Sequence, residues 1–230
     1  MTFGERAIRY YRTLDSNWSV PDGVEILRAY DSEQVLRLVT RFFRRYFDDS
    51  SPRVGVFGIN PGRFGAGRTG VAFTDPIRLQ EELGIENDLS KKPELSSIFL
   101  YEVIDAFGGP GRFFGSFFIA AVSPLGFLKN GKNFNYYDDP ELLRAVEPHI
   151  VENLREQIAF GLTRRVAVCL GKGKNLDHFQ RMNSEHRLFD RIEALAHPRW
   201  IMQYRRPHKR HFLNQYLECL KEAARELENI

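Results

Sequence analysis

An asparagine amide, several glycines and a phenylalanine ring fall within one short stretch, Gly58-Ile59-Asn60-Pro61-Gly62-Arg63-Phe64-Gly65, continuing through Thr69-Gly70-Val71 to Phe73. A primary amide both donates and accepts hydrogen bonds, glycines let backbone approach a ligand, and an aromatic ring offers a stacking face. The chemistry such a set suits is the binding of a planar polar heterocycle. The apolar run Val54 to Phe57 precedes it and reads as a strand. Pro61 fixes its own φ and Gly62 tolerates positive φ, so the chain must turn sharply there. Asn60 then sits at the carboxyl end of a buried strand, where open α/β sheets bind ligands. Taken singly, Asn-Pro-Gly is an ordinary turn and Phe73 is one of 19 phenylalanines that need a core. The combination is what is specific.

That combination resembles the first motif of the uracil-DNA glycosylase superfamily, and most closely its SMUG-type branch, the single-strand-selective monofunctional uracil-DNA glycosylases. The branch carries Gly-Met-Asn-Pro-Gly-Pro-Phe-Gly and then Thr-Gly-Val-Pro-Phe. Here Ile59 replaces the Met, Arg63 the second Pro and Ala72 the last Pro. A second family motif opens with His-Pro, matched by His197-Pro198-Arg199. Phe118 to Leu128 resembles the third strand with its Pro-Leu turn, and Val166 to Gly173 the fourth segment. The resemblance spans about residues 53–200 and leaves the first 30 without an assigned role.

The resemblance implies hydrolysis of the N-glycosidic bond of a deaminated base in DNA, through an oxocarbenium-like sugar and an anionic leaving base. Asn60 is then the residue that positions water. His197 is the donor to the base oxygen that gains charge. Neither motif contains lysine, which implies a monofunctional enzyme without lyase activity, and neither a cofactor nor a metal is expected. Ile59, Gly62, Phe64, Phe73, Ala121 and Ser123 are the expected base-binding positions, with Phe73 as the stacking plate. Stacking on such a plate returns about 1–3 kcal/mol of the cost of unstacking the base.

One departure bears on specificity. The SMUG-type pattern reads the uracil edge with an Asn three residues before the Pro of Pro-Leu, and that position is Ala121. Either Ser123, Asn133 or backbone reads the base instead, or the base is not uracil; xanthine and hypoxanthine are the candidate deaminated purines. Asn130, Asn133 and Asn135 lie in a stretch that reads as an exposed turn. In the family a loop after His-Pro enters the space the base vacates, so Trp200 or Tyr204 is the expected wedge, although Trp200 to Tyr204 also reads as a strand. Arg63, Arg199, Arg205, Arg206, Lys209 and Arg210 are the expected phosphate contacts, which makes DNA binding salt-dependent.

Composition bounds the rest. The chain has 230 residues, 43% hydrophobic and 27% charged, and a net charge of +3, all compatible with a soluble domain and a polyanionic partner. Two cysteines exclude a disulfide framework or a four-cysteine cluster. With no membrane-length apolar run and no apolar leader, the expected setting is the cytoplasm. The expected partner is DNA, single- or double-stranded, carrying a damaged base, bound by a monomer.

The elements that must position these residues follow from periodicity. Residues 32–47 place Val35, Leu38, Val39, Phe42, Phe43 and Tyr46 on one helix face, with Ser32 as N-cap. Helices are also expected over 99–107, 147–162 with Pro148 in the first turn, and 211–228. Strands are expected over 54–59, 117–122, 166–170 and 191–196. This alternation predicts a single α/β domain over residues 1–230, a three-layer α/β/α sandwich on a mostly parallel four-stranded sheet, as the resemblance also implies. Residues 1–30 form an N-terminal extension. Gly171-Lys172-Gly173-Lys174 lacks the spacing of a P-loop and reads as a turn between strand and helix. A non-catalytic DNA-binding module on the same fold is the alternative reading.

Overall fold

The computed structural model describes residues 1–228; the last two positions of the expected domain lie outside the described residues. The elements run α1 (Phe3–Thr13), β1 (Val24–Leu27), α2 (Glu33–Tyr46), β2 (Arg53–Gly58), α3 (Ala66–Thr69), α4 (Pro76–Glu81), α5 (Leu95–Phe107) and α6 (Gly109–Ser116). They continue with β3 (Phe117–Ala121), β4 (Gly126–Lys129), β5 (Lys132–Phe134), α7 (Pro140–Ala159), β6 (Leu162–Leu170), α8 (Lys174–His186), β7 (Ile192–Leu195), α9 (Pro198–Tyr204) and α10 (Lys209–Arg225).

The central sheet has the order β3-β2-β6-β7, with every neighbouring pair parallel. Helices flank it in the expected α/β/α sandwich, with α7 and α8 on β6 and α10 on β6 and β7. All six residues of β2 are buried, as the central strand of a parallel sheet requires. A second, antiparallel sheet, β1-β4-β5, lies outside it. Its β4–β5 hairpin turns on Asn130 and Gly131, both at positive φ, the pairing that a two-residue turn between twisted strands demands.

Ser32 caps α2 as expected, its hydroxyl accepting from the Val35 N–H, and the helix buries Val35, Leu38, Val39, Phe42 and Phe43. The expected helix over 147–162 begins seven residues earlier. Asp139 accepts from the N–H groups of Glu141 and Leu142, and Pro140 occupies the first turn, so Pro148 is interior. An Asp-Pro start satisfies the orphan donors of a helix end, whereas the residue before Pro148 offers no such cap bond. The chain from Gly108 to Gly111 ends α5 and also opens α6 at once. Residues 171–173 form the turn between β6 and α8, and Lys174 opens the helix.

Residues 1–30 are integral to the core. Thr2 and Glu5 form a reciprocal capping box, and Phe3 and Ala7 are fully buried. The Phe3 ring packs on Phe47, Phe118 and Phe160, bridging α1 to the sheet. Burying a phenylalanine of this kind contributes about 1.5–3 kcal/mol. Among the described residues no helix is long and apolar enough to cross a membrane.

Candidate active site

A cavity of about 420 Å³ opens at the carboxyl ends of β2 and β3, and Ile59, Asn60, Pro61, Gly62 and Phe73 form one side of it. His197, Arg199, Trp200, Gln203 and Tyr204, from the start and outer turns of α9, form another. The two motifs, far apart in sequence, thus face one space.

Asn60 is held by backbone on the β5 side. Its Nδ2 donates to the Phe134 carbonyl at 3.3 Å, and its Oδ1 accepts from the Tyr136 N–H at 3.3 Å. A carbonyl only accepts and an N–H only donates, so these contacts set which end of the amide is oxygen. Oδ1 keeps a second lone pair for a water.

His197 is the N-cap of α9, and its Nδ1 accepts from the Arg199 N–H at 3.2 Å. The proton of the neutral ring therefore resides on Nε2. Burial, and next the Arg199 charge, lower the His197 pKa to about 4. At neutral pH the ring is an uncharged donor.

Phe73 has φ 53°, a left-handed conformation uncommon for a bulky residue. Its ring lies over Gly58, where an added Cβ would come within 2.5 Å of Cε2. The ring centroids of Phe73 and His197 are 5.8 Å apart. Gly58 is therefore a glycine because the plate presses on the strand end.

The other expected positions divide. Ile59, Gly62 and Ala121 line the cavity. Ser123 does not: it is fully buried and its hydroxyl donates to the Leu125 carbonyl at 2.8 Å. Phe64 is also outside the lining, its exposed ring covered by Arg63 and Lys92. Asn133 is exposed as expected but lies in β5 rather than in the turn. Its Oδ1 accepts from the Arg63 N–H at 3.1 Å, its Nδ2 lies close over Gly62, and it lines the cavity with Asn135.

Arg63 is tied to the Gly131 carbonyl, and Lys209 pairs with Glu102 at 2.7 Å. Arg205 lies over the Trp200 ring at 5.0 Å, while Arg206 and Arg210 are exposed. Trp200 to Tyr204 is helical rather than a strand, because Pro198 at the first helical position and the His197 cap start a helix there. Trp200 and Tyr204 remain 39% and 59% exposed at the cavity rim, unusual for large aromatic side chains.

Several lining residues carry no sequence signal. Tyr11, Tyr30 and Gln157 reach the cavity from the N-terminal region and α7. Gln157 has a fixed polarity. Asn153 Nδ2 donates to the His149 carbonyl, so Asn153 Oδ1 accepts from the Tyr10 hydroxyl, whose oxygen accepts from Gln157 Nε2. Gln157 Oε1 is buried and has no partner. Glu94, just before α5, is the remaining addition. Its N–H donates to Asp75 Oδ2 at 3.0 Å, and its carboxylate rests on Gly62 and Gly65. Burial, then the Asp75 charge, raise its pKa to about 7, against a smaller opposing pull from Arg199.

Two polar loops of a parallel four-stranded sheet thus converge on one aromatic-backed cavity. The family model for the Uracil DNA glycosylase superfamily matches residues 44–221, and the chain belongs to that superfamily, whose members are DNA glycosylases. Among solved structures it is similar to the wild-type SMUG2 of Pedobacter heparinus, with 40% sequence identity and a TM-score of 0.93. The match covers 96% of this chain and 98% of that one. No curated protein sequence matches the chain.

Proposed function

We propose that the protein is a monofunctional DNA glycosylase that hydrolyses the N-glycosidic bond of uracil, xanthine or hypoxanthine in DNA, as a step of base-excision repair. The observation that carries this is the opposed polarity of Asn60 and His197 across one cavity: a free acceptor lone pair on one, a neutral Nε2–H on the other. The base leaves the stack and enters the cavity that Phe73 and His197 line, where the Phe73 ring serves as the stacking face. Asn60 Oδ1 holds the water near the sugar carbon, and His197 donates to the base oxygen as charge accumulates there. No lysine lines the cavity among the described residues, which favours hydrolysis over Schiff-base chemistry.

Ala121 removes the side chain that would read the uracil edge; Asn133 Nδ2 and the unpartnered Gln157 Oε1 are polar atoms of lining residues that could take over that task. Arg199, Arg206 and Arg210 meet phosphates, and Trp200 or Tyr204 fills the vacated stack. We place the enzyme in the cytoplasm as a monomer, a reading supported by its two free cysteines, Cys169 and Cys219.

The test is single-turnover cleavage of single- and double-stranded oligonucleotides, each with one uracil, xanthine, hypoxanthine or mismatched thymine, followed by alkali. Product with one or more of the deaminated bases is expected. DNA binding with no product from any base would leave a binding module instead.

A further inference from the structure

Hydrolysis at a sugar carbon releases a proton from water, and a correctly placed carboxylate in the cavity speeds the step by taking it. Asn60 orients water through the second lone pair of Oδ1 but stays neutral, because a carboxamide is too weak a base to take its proton. His197 cannot accept: Nδ1 already receives the Arg199 N–H and Nε2 carries the ring proton. The other ionisable lining residues are the phenols Tyr11, Tyr30 and Tyr204, the guanidinium of Arg199, and Glu94. Neutral phenols and a guanidinium are not bases at neutral pH.

Glu94 is the one carboxylate among the described lining residues. A Cβ added at Gly65 would lie 1.9 Å from its Oε2, and one added at Gly62 would lie 3.5 Å from its Oε1. The carboxylate therefore lies on the turn that directly follows Asn60, on the side of the cavity that feels Arg199. Asp75, fully buried, anchors it there by accepting from the Glu94 N–H.

We propose that Glu94 is the general base of the reaction. The inference rests on the glycosylase reading above. As the sugar–base bond breaks, its electron pair leaves on the base, which the His197 Nε2–H stabilises. The water oxygen bonds to the sugar carbon, and its proton passes to the Glu94 carboxylate and then to solvent. The charged or titratable groups around Glu94 are Asp75 with its partner Arg78 on α4, Lys92 and Arg63 at the neighbouring loops, and His197 and Arg199 on α9. Burial and the Asp75 charge raise the Glu94 carboxyl to about 7, whereas burial and the Arg199 charge hold His197 near 4.

The experiment is the single-turnover rate constant of the full chain from pH 5.5 to 8.5, on the base the wild type excises, for wild type, Glu94→Gln and Glu94→Asp. The wild-type rate is expected to rise roughly 30-fold and level off through an apparent pKa near 7. Glu94→Gln is expected to lose about 10²-fold or more at pH 8 and to show a flat profile, with DNA affinity kept. Glu94→Asp keeps the inflection. A flat wild-type profile overturns the assignment even if Glu94→Gln fails to fold, and so does a Glu94→Gln enzyme with wild-type rate and profile. A wild type inactive on every base would instead remove the glycosylase reading.

Discussion

The Asn60 side chain accepts from the Tyr136 N–H at 3.3 Å, so a residue at the end of the central strand is oriented by backbone from outside the central sheet. In the proposed mechanism, water positioning thus depends on the β4–β5 hairpin as well as on the loop that carries Asn60. Asn60→Ala is expected to lower the single-turnover rate by about 10²–10³-fold, the scale seen when one positioned polar group is removed. Equilibrium binding to an uncleaved oligonucleotide should barely change; loss of rate and binding together would mark Asn60 as structural.

His197→Ala should slow the chemical step without shifting DNA affinity, read by single-turnover kinetics beside a binding isotherm. Its titration also has a sign in stability. The folded pKa, about 4, lies below the ordinary value of 6.5, so between those limits the unfolded chain binds more protons. This residue's contribution is therefore present above pH 6.5 and declines as pH falls toward 4. Glu94 has the opposite sign, because its folded pKa is raised from 4.5 to about 7. Glu94→Gln should consequently raise the thermal midpoint at pH 8 relative to wild type while lowering the rate.

The phosphate contacts should be unequal. Arg206→Ala with Arg210→Ala is expected to weaken binding to all sequences and flatten the log–log salt dependence by up to about 2. Lys209→Ala should change the slope little, since Glu102 already neutralises that ammonium. An unchanged slope in the double variant would mean that the run does not meet DNA.

Trp200→Ala and Tyr204→Ala test the wedge. Only a duplex has a stack to refill, so each should raise KM on double-stranded substrate more than on single-stranded. Equal losses on both would mean that the rim aromatic contacts the flipped nucleotide instead.

Ala121→Asn restores a side chain that can donate and accept at once beside the base. The ratio of uracil to xanthine cleavage should rise, by roughly 10-fold for about 1–3 kcal/mol of paired hydrogen bonding. A ratio that stays constant would place base reading elsewhere, with Asn133 or Gln157.

Three strands of the central sheet were legible because Val54–Phe57, Phe117–Ala121 and Val166–Leu170 are continuous apolar runs, whereas β7 carries Glu193 and gave a weaker signal; α2 was legible because its apolar face and Ser32 cap agree. Asn60, Phe73 and His197 were legible through motif spacing. Ser123 misled because a hydroxyl beside a Pro-Leu turn gives no sign of whether it faces a cavity or the backbone two residues on. Pro148 misled because proline favours a first turn, but Asp139 and Pro140 had already started that helix. Glu94 and Gln157 were invisible. Each reaches the cavity through tertiary contacts, with Asp75 for one and Tyr10 for the other, at separations no local pattern encodes.

The left-handed backbone of Phe73 has a kinetic meaning. Such a conformation costs on the order of 1–3 kcal/mol and persists only where surrounding structure enforces it. The chain meets that cost once, while folding, with the ring already seated over Gly58. On the proposed reading, an arriving base then meets a pre-set wall and has no aromatic side chain to immobilise, so the encounter gains lifetime without losing rotamer freedom.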